Sequence, residues 1–262
     1  MLSITVKPSV PLAAFIDYYW VFECSDITGI NEQFVYPQGS SELMFHYETP
    51  FTTKSFDGKE ILQTDCFLST KKLTSIRVNP SGRIGLVSVY FKPFGASAFF
   101  DLPANSLNEM NIDLGCFVGD KYKSLMDEIA SAPNYKVRID VIERYLLKIM
   151  NLRNLHEFEV LSKAVELINT RRGLLSVDSI INEACISGRH LDRLFVKRIR
   201  LSPKQYMRIR KLNFAISLME IKKKMNLTQV ALESGYYDQS HFTNDFKAIT
   251  GLPPKEFIKL IG

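Results

Sequence analysis

The last third of the chain repeats one apolar pattern, and such a repeat restricts the fold more than any composition does. Val177, Ile180, Ile181 and Cys185 recur as Leu227, Val230, Ala231 and Gly235, 50 residues on. Leu191, Phe195, Leu201, Pro203 and Tyr206 recur as Phe242, Phe246, Leu252, Pro254 and Phe257, 51 residues on. The one-residue slip falls in a turn, where an insertion is tolerated. In the second copy, Gly235 ends one helix and Asp238 can cap the next. Phe242, Phe246 and Ile249 then lie on one helix face, at i, i+4 and i+7. The other face carries Gln239, Ser240, Thr243, Asn244 and Lys247. Helix, tight turn and a helix with a short polar outer face is the pattern of a helix-turn-helix, whose second helix enters the DNA major groove. Amides and hydroxyls suit base edges because they both donate and accept. A single copy could be an ordinary amphipathic surface helix; the duplication argues against that.

In the first copy, Leu191, Leu194 and Phe195 face inward, while Arg189, Asp192, Arg193, Val196 and Arg200 face outward. Arginine grips guanine O6 and N7 bidentately and also grips phosphate. Asp192 accepts from cytosine or orients Arg193. Between the copies, Pro203–Lys222 carries Tyr206, Ile209, Leu212, Ala215, Ile216 and Met219 at helical spacing. About 20 residues at 1.5 Å each make a helix of about 30 Å. That is close to the roughly 34 Å between successive major-groove faces on one side of B-DNA. One chain can therefore hold two reading helices in adjacent grooves.

Charge follows the repeat. From Glu159 onward there are 18 Lys/Arg and 10 Asp/Glu, a net of +8, whereas the first 158 residues hold 15 and 18, a net of −3. A basic module on a mildly acidic one suggests a polyanion-binding part joined to a non-binding part. Arg171, Arg172, Lys197, Arg208, Arg210 and Lys247 are the phosphate candidates. The four cysteines, Cys24, Cys66, Cys116 and Cys185, are scattered without metal-ligand spacing, and read as buried small apolar residues in a reducing compartment. No signal segment or long apolar run is present, so a cytoplasmic protein is expected.

Residues 1–150 read as a β-rich unit with trailing helices. Leu12, Phe15, Ile16 and Tyr19 fit a short helix opened by Pro11, passing into a strand around Tyr18–Glu23. Strands are expected at Gln33–Tyr36, Glu42–Tyr47, Cys66–Ser69 and Ile84–Lys92, with turns at Gln38-Gly39, Asp57-Gly58 and Ser81-Gly82. Their spacing predicts an antiparallel sandwich or barrel, a fold that often encloses a small-molecule pocket. Helices follow at Gly95–Asp101, Asp120–Ala130 and Val137–Met150. Residues 151–157 read as a connection to 158–262. Glu42, His46 and Glu48 share one face of a strand, which makes a pocket or metal site conceivable; satisfied or surface groups are the preferred reading. Trp20 reads as core. No catalytic constellation, phosphate loop or metal cluster is found, so no cofactor and no metal are expected.

These residues resemble the AraC/XylS family of bacterial transcription regulators over roughly Glu159–Leu260. The match is most specific in VALESGYYDQSHFTNDFKAITGLPPKEF, and HLDRLF with LSPKQYMRIRKLNFA also fits. The resemblance implies base reading by Arg189, Asp192 and Arg193 in the first copy, and by Gln239, Ser240, Thr243 and Asn244 in the second. Two positions depart from the family pattern. Arg200 precedes the LSP segment where the family usually has glycine, so that helix end should be longer or strained. Cys185 also stands where glycine is common, so the first turn should sit differently. PLAAFIDYYW, YPQGSSELMFHY and YFKPFGASAFF resemble a sensor-like domain attached to some members, which implies a cupin-like fold. The expected fold class is thus α+β: a cupin-like or barrel domain, then an all-α domain of two helix-turn-helix units joined by a long helix. The expected function is a sequence-specific DNA-binding regulator, an activator before a repressor. Expected partners are double-stranded DNA, the transcription machinery, a small-molecule effector and a second copy in a homodimer, and no membrane. The alternatives are a β-barrel enzyme with a nucleic-acid-targeting tail and a nucleoid-type binder without sequence preference.

Overall fold

A computed structural model describes residues 1–26, 32–55, 58–70, 75–101, 111–221 and 225–261. The Asp57 half of one expected turn and the Lys222 end of the long helix lie outside them. The chain forms two compact units. The first comprises Met1–Gln33, Ser40–Lys71 and Arg77–Arg153, and the second Phe34–Gly39, Lys72–Ile76 and Asn154–Gly262.

The strands in chain order are β1 (Leu2–Val6), β2 (Ile16–Cys24), β3 (Gln33–Val35), β4 (Glu42–His46), β5 (Thr52–Lys54), β6 (Glu60–Leu62), β7 (Cys66–Ser69), β8 (Ile76–Asn79), β9 (Ile84–Phe91) and β10 (Asn111–Asp113). The main antiparallel sheet of the first unit runs β1-β2-β9-β4-β7-β10. Pairing places Leu43 opposite Val89 and Leu68, and Phe45 opposite Val87 and Cys66. Tyr19, Val21, Leu43, Phe45, Leu68, Val87 and Val89 are fully buried. Removing each such side chain from water stabilises the fold by roughly 1.5–3 kcal/mol. A second sheet pairs β5 with β6 and with β8.

Two helices trail the sheets after the single turn α1 (Gly115–Val118): α2 (Lys121–Ser131) and α3 (Tyr135–Ile149). Asn134 caps α3 by accepting from the Lys136 and Val137 amides. Its apolar face, Ile139, Val141, Ile142 and Leu146, is buried. Glu143 anchors it to β2 by accepting from the Tyr19 hydroxyl at 3.0 Å and the Ser9 amide at 2.8 Å. Arg138 pairs with Glu23 at 3.3 Å and stacks over Tyr47.

Several local expectations need correction. Residues 10–15 form turns rather than a helix, with the Leu12 and Ala13 amides both bonded to Ser9 O. The β2 strand is long enough to claim Ile16 onward. Residues 2–6, unread in the sequence, are an edge strand. Gly95–Ala98 is one turn of 3₁₀ helix. Trp20 is half-buried, donating to Ser3 Oγ at 3.1 Å and stacking on Phe22. Cys24 and Cys66 are buried, whereas Cys116 and Cys185 are exposed. Cys116 sits on a one-turn helix and Cys185 on a helix-ending turn, too little structure to cover either thiol.

The second unit is helical: α4 (Leu155–Thr170), α5 (Val177–Ala184), α6 (Gly188–Arg198), α7 (Pro203–Ile221), α8 (Leu227–Glu233), α9 (Gln239–Thr250) and α10 (Pro254–Ile261). Helix α4 already begins inside the stretch expected as a connection. Its buried Phe158, Leu161, Ala164, Val165 and Ile168 form one stripe. Two short stretches from early in the sequence also belong here. The rings of Phe34 and Tyr36 meet Phe257 edge-on, with centroids 5.2 and 5.4 Å away. Asn213 donates to Gln38 at 3.3 Å, and the Ser75 amide donates to Ile249 O. Gly39 has φ +78°, and a Cβ there would stand 2.8 Å from the Tyr206 ring, so glycine is required for both reasons.

Candidate nucleic-acid interface

Each copy of the repeat is a helix pair joined to α7, the first through α6 and the second through α8. In the first, Ser176 caps α5 by accepting from the Ser179 amide, and Ser187 caps α6 by accepting from the His190 amide. In the second, Asn226 and Gln229 form a reciprocal capping box on α8, and Asp238 caps α9 by accepting from the His241 amide at 2.7 Å. Side-chain caps satisfy amides that the helix itself leaves open. Leu191, Leu194 and Phe195 of α6, and Phe242 and Phe246 of α9, are fully buried. The 19 residues of α7 give a rod of about 28 Å. Tyr206, Ile209, Leu212, Ala215, Ile216 and Met219 are buried along it.

With the apolar faces used for packing, the opposite faces are left to solvent. Arg189, Asp192 and Arg193 are exposed on α6, and Gln239, Ser240, Asn244 and Lys247 on α9, with Thr243 half-buried. One Arg193 nitrogen lies 3.3 Å from His190 Nδ1, so the contact seen for this arginine is histidine rather than Asp192. Gln239 accepts a hydrogen bond from the Thr228 hydroxyl of α8 at 2.8 Å. That bond occupies the carbonyl oxygen of the glutamine amide.

The phosphate candidates have diverse surroundings. Arg171 is exposed at the end of α4, and Lys247 is exposed on α9. The Arg172 guanidinium lies 4.3 Å from the Phe214 ring centroid, and Arg210 is half-buried. Two others are engaged with carboxylates. Lys197 and Arg198 both bond to Glu157, at 3.0 and 2.6 Å. Burial raises the Glu157 pKa, but its bonds to Arg198 and Lys197 outweigh that and hold it below the usual carboxylate value. Arg208 bonds to Asp245 at 2.6 Å. Asp245 lies 37 residues from Arg208, and no local pattern in the sequence marks it as the partner.

The two departures from glycine fall on left-handed backbone. Cys185 has φ +53° and Arg200 has φ +63°. Their counterparts in the second copy, Gly235 and Gly251, have φ +73° and +79°. The strain expected at Arg200 is therefore visible in its backbone, and the first turn keeps the same plan as the second, with a non-glycine residue in it.

In the first unit, Glu42, His46 and Glu48 do not converge. His46 is buried with Nε2 2.9 Å from Gln63 Oε1, and Glu48 pairs with Arg83 at 3.2 Å. Burial holds the imidazole down at about 4, against the opposing Gln63 bond. Glu48 lies beyond the end of β4, where the alternation that would align it with His46 has stopped. Among the described residues no group of three or more His, Cys, Asp or Glu is placed to hold a metal ion. No helix among them is long and apolar enough to cross a membrane.

Comparison with known proteins follows this division. Residues 180–259 match a family described as a helix-turn-helix domain, and residues 4–113 match a domain of unknown function, DUF6597. Over 82 residues the chain is 28% identical to the HTH-type transcriptional regulator ArgR of Pseudomonas aeruginosa, covering 31% of this chain and 25% of that protein. The chain thus spans about a quarter of the length of this curated relative. Among solved structures, ToxT of Vibrio cholerae aligns at TM-score 0.47 and 12% identity, covering 92% of this chain and 97% of that one. An AraC-type transcriptional regulator of Chromobacterium violaceum aligns at TM-score 0.38 and 26% identity, covering 40% and 95%.

Proposed function

We propose, with the chain's place among the AraC-type helix-turn-helix regulators of transcription as the premise, that it reads a bipartite DNA site with both helix pairs. The observation that carries this reading is that α6 and α9, the second helices of the two copies that flank α7 in sequence, each expose a polar face. Arg189 and Arg193 suit guanine, and Asp192 suits cytosine. Asn244 can pair bidentately with adenine. Gln239, with its oxygen on Thr228, offers its amide nitrogen to acceptors, while Ser240 and Thr243 complete the second reading face. Arg171, Arg172, Arg210 and Lys247 supply a salt-dependent phosphate grip. Lys197 and Arg208 are nearby cations that already sit on carboxylates.

The β-rich unit, most of residues 1–153, acts as the regulatory part, and the helical unit from Asn154 onward acts as the DNA-binding part. The first part takes a small-molecule effector or a second copy of the chain, and the output is activation through the transcription machinery in the cytoplasm. The strand-rich pattern and opposite charge of residues 1–158 support this division. A catalytic role is not part of the reading.

Selection of bound duplexes from a random DNA pool tests it. A recovered site should hold two conserved blocks about one helical turn apart. Asn244→Ala should weaken that site by ~1–3 kcal/mol and random DNA little. Equal losses on both would reduce the protein to a backbone binder.

A further inference from the structure

Asp245 lies on the recognition helix α9, yet its side chain is only 14% exposed. Both carboxylate oxygens are occupied. Oδ1 accepts from the Arg208 guanidinium at 2.6 Å, and Oδ2 accepts from the Tyr236 hydroxyl at 2.9 Å. Arg208 stands on α7, and Tyr236 in the turn that precedes α9. One turn further along α7, Lys211 lies 3.6 Å from the centre of the Tyr236 ring and donates to Gly235 O at 2.8 Å. Arg208 and Lys211 are three residues apart and share a face of α7. That face therefore holds the turn and the recognition helix by charge, beside the apolar packing of Phe242 and Phe246. The repeat shows that this is an addition: the first copy has buried Leu194 at the place of Asp245.

We infer that Asp245 is a positioning residue, and that with Arg208 and Tyr236 it forms a strut fixing the angle of α9 on α7. Arg208 is then a support that sets α9 on α7, not a phosphate contact. The inference rests on the DNA-reading function proposed above, and assigns a role within it to residues that touch no base. A charge-assisted pair with low exposure is directional, and a recognition helix reads bases only when its angle is fixed.

The two roles for Arg208 separate in their salt and sequence dependence. A phosphate contact contributes equally to every duplex and adds about 0.9 to the slope of log affinity against log salt. A strut contributes only where geometry is read. The full chain should be titrated with its selected site and with a random duplex over a range of salt. Arg208→Ala should weaken the selected site about tenfold, leaving random-duplex affinity and slope unchanged. Arg208→Lys keeps the charge and should fail like alanine, because ammonium lacks the guanidinium fork. Asp245→Asn should also lose about tenfold on the selected site. It also frees Arg208, so the random-duplex slope should steepen by about one. Tyr236→Phe keeps the ring and should lose only a few-fold. The Arg208→Ala, Asp245→Asn double variant should be no worse on the selected site than the worse single one. Equal loss on both duplexes with Arg208→Ala, or full activity with Arg208→Lys, would overturn the strut.

Were the wild-type chain to select no site at all, the DNA-reading function would fall. Amide hydrogen exchange would then decide the strut separately. Asp245→Asn should raise exchange in α9 several-fold over α6, and no change there would reject it.

Discussion

Where the second helix-turn-helix copy turns its backbone at Gly235 and Gly251, the first turns at Cys185 and Arg200. The four residues share the left-handed region, which disfavours a side chain by roughly 1–2 kcal/mol. The copies also differ in bracing. The first is tied to α4 through Glu157, which holds Lys197 and Arg198. The second is tied to α7 through Asp245. Their exposed faces differ too: Arg189, Asp192 and Arg193 in the first, amides and hydroxyls in the second. The two copies thus share one plan, with side chains on left-handed backbone in the first and glycines there in the second. What stayed constant is the apolar pattern, because it alone determines whether either pair packs.

That contrast can be pressed hardest at the shared core. Phe195 and Phe246 occupy equivalent buried positions. Phe246 meets two rings, Phe242 at 5.5 Å and Phe257 at 5.1 Å, whereas Phe195 meets Tyr206 at 6.1 Å. Each Phe→Ala change should destabilise by about 3–5 kcal/mol in urea unfolding, with Phe246→Ala at the upper end. The reverse ranking would mean that the first copy carries the unit's stability.

A smaller effect is expected at the brace. Glu157→Gln should destabilise by about 1–2 kcal/mol at neutral pH. Since its folded pKa lies below the ordinary glutamate value of 4.5, this stabilisation is present above pH 4.5. It disappears as pH falls through the folded pKa. Urea midpoints of wild type and variant should therefore converge in acid, and a gap that persists there would rule out the ion pair as its source. The smallest change is at the turn: Cys185→Gly should stabilise by about 0.5–1 kcal/mol, measured as a raised melting temperature. A loss would show that the exposed thiol or the stiffer backbone contributes more than the strain removes.

Much of this was legible in advance. Asp238 as a cap, the buried faces of α6 and α9, and the long α7 follow from spacings of three and four residues. The strain at Arg200 was legible from a glycine missing from the family pattern, whereas the first turn, expected to sit differently at Cys185, keeps the left-handed plan of Gly235. Less legible were the places where local chemistry is ambiguous. Residues 10–15 carry helix-like spacing but form turns, since the strand that follows claims Ile16. Glu48 alternates with His46 on paper, but the strand ends between them. Lys197 and Arg208 read as free cations because nothing adjacent in sequence is acidic.

By itself, then, the sequence determined the two-copy helical plan, its apolar faces and its basic half, because periodicity and composition are carried by neighbouring residues. Only the tertiary structure decided that Arg208 meets Asp245, 37 residues away, that Glu157 meets Arg198, and that Phe34 and Tyr36 lie on Phe257. Contacts of that kind depend on where distant segments come to rest, and a single charge or ring leaves no repeating trace by which its partner could be found.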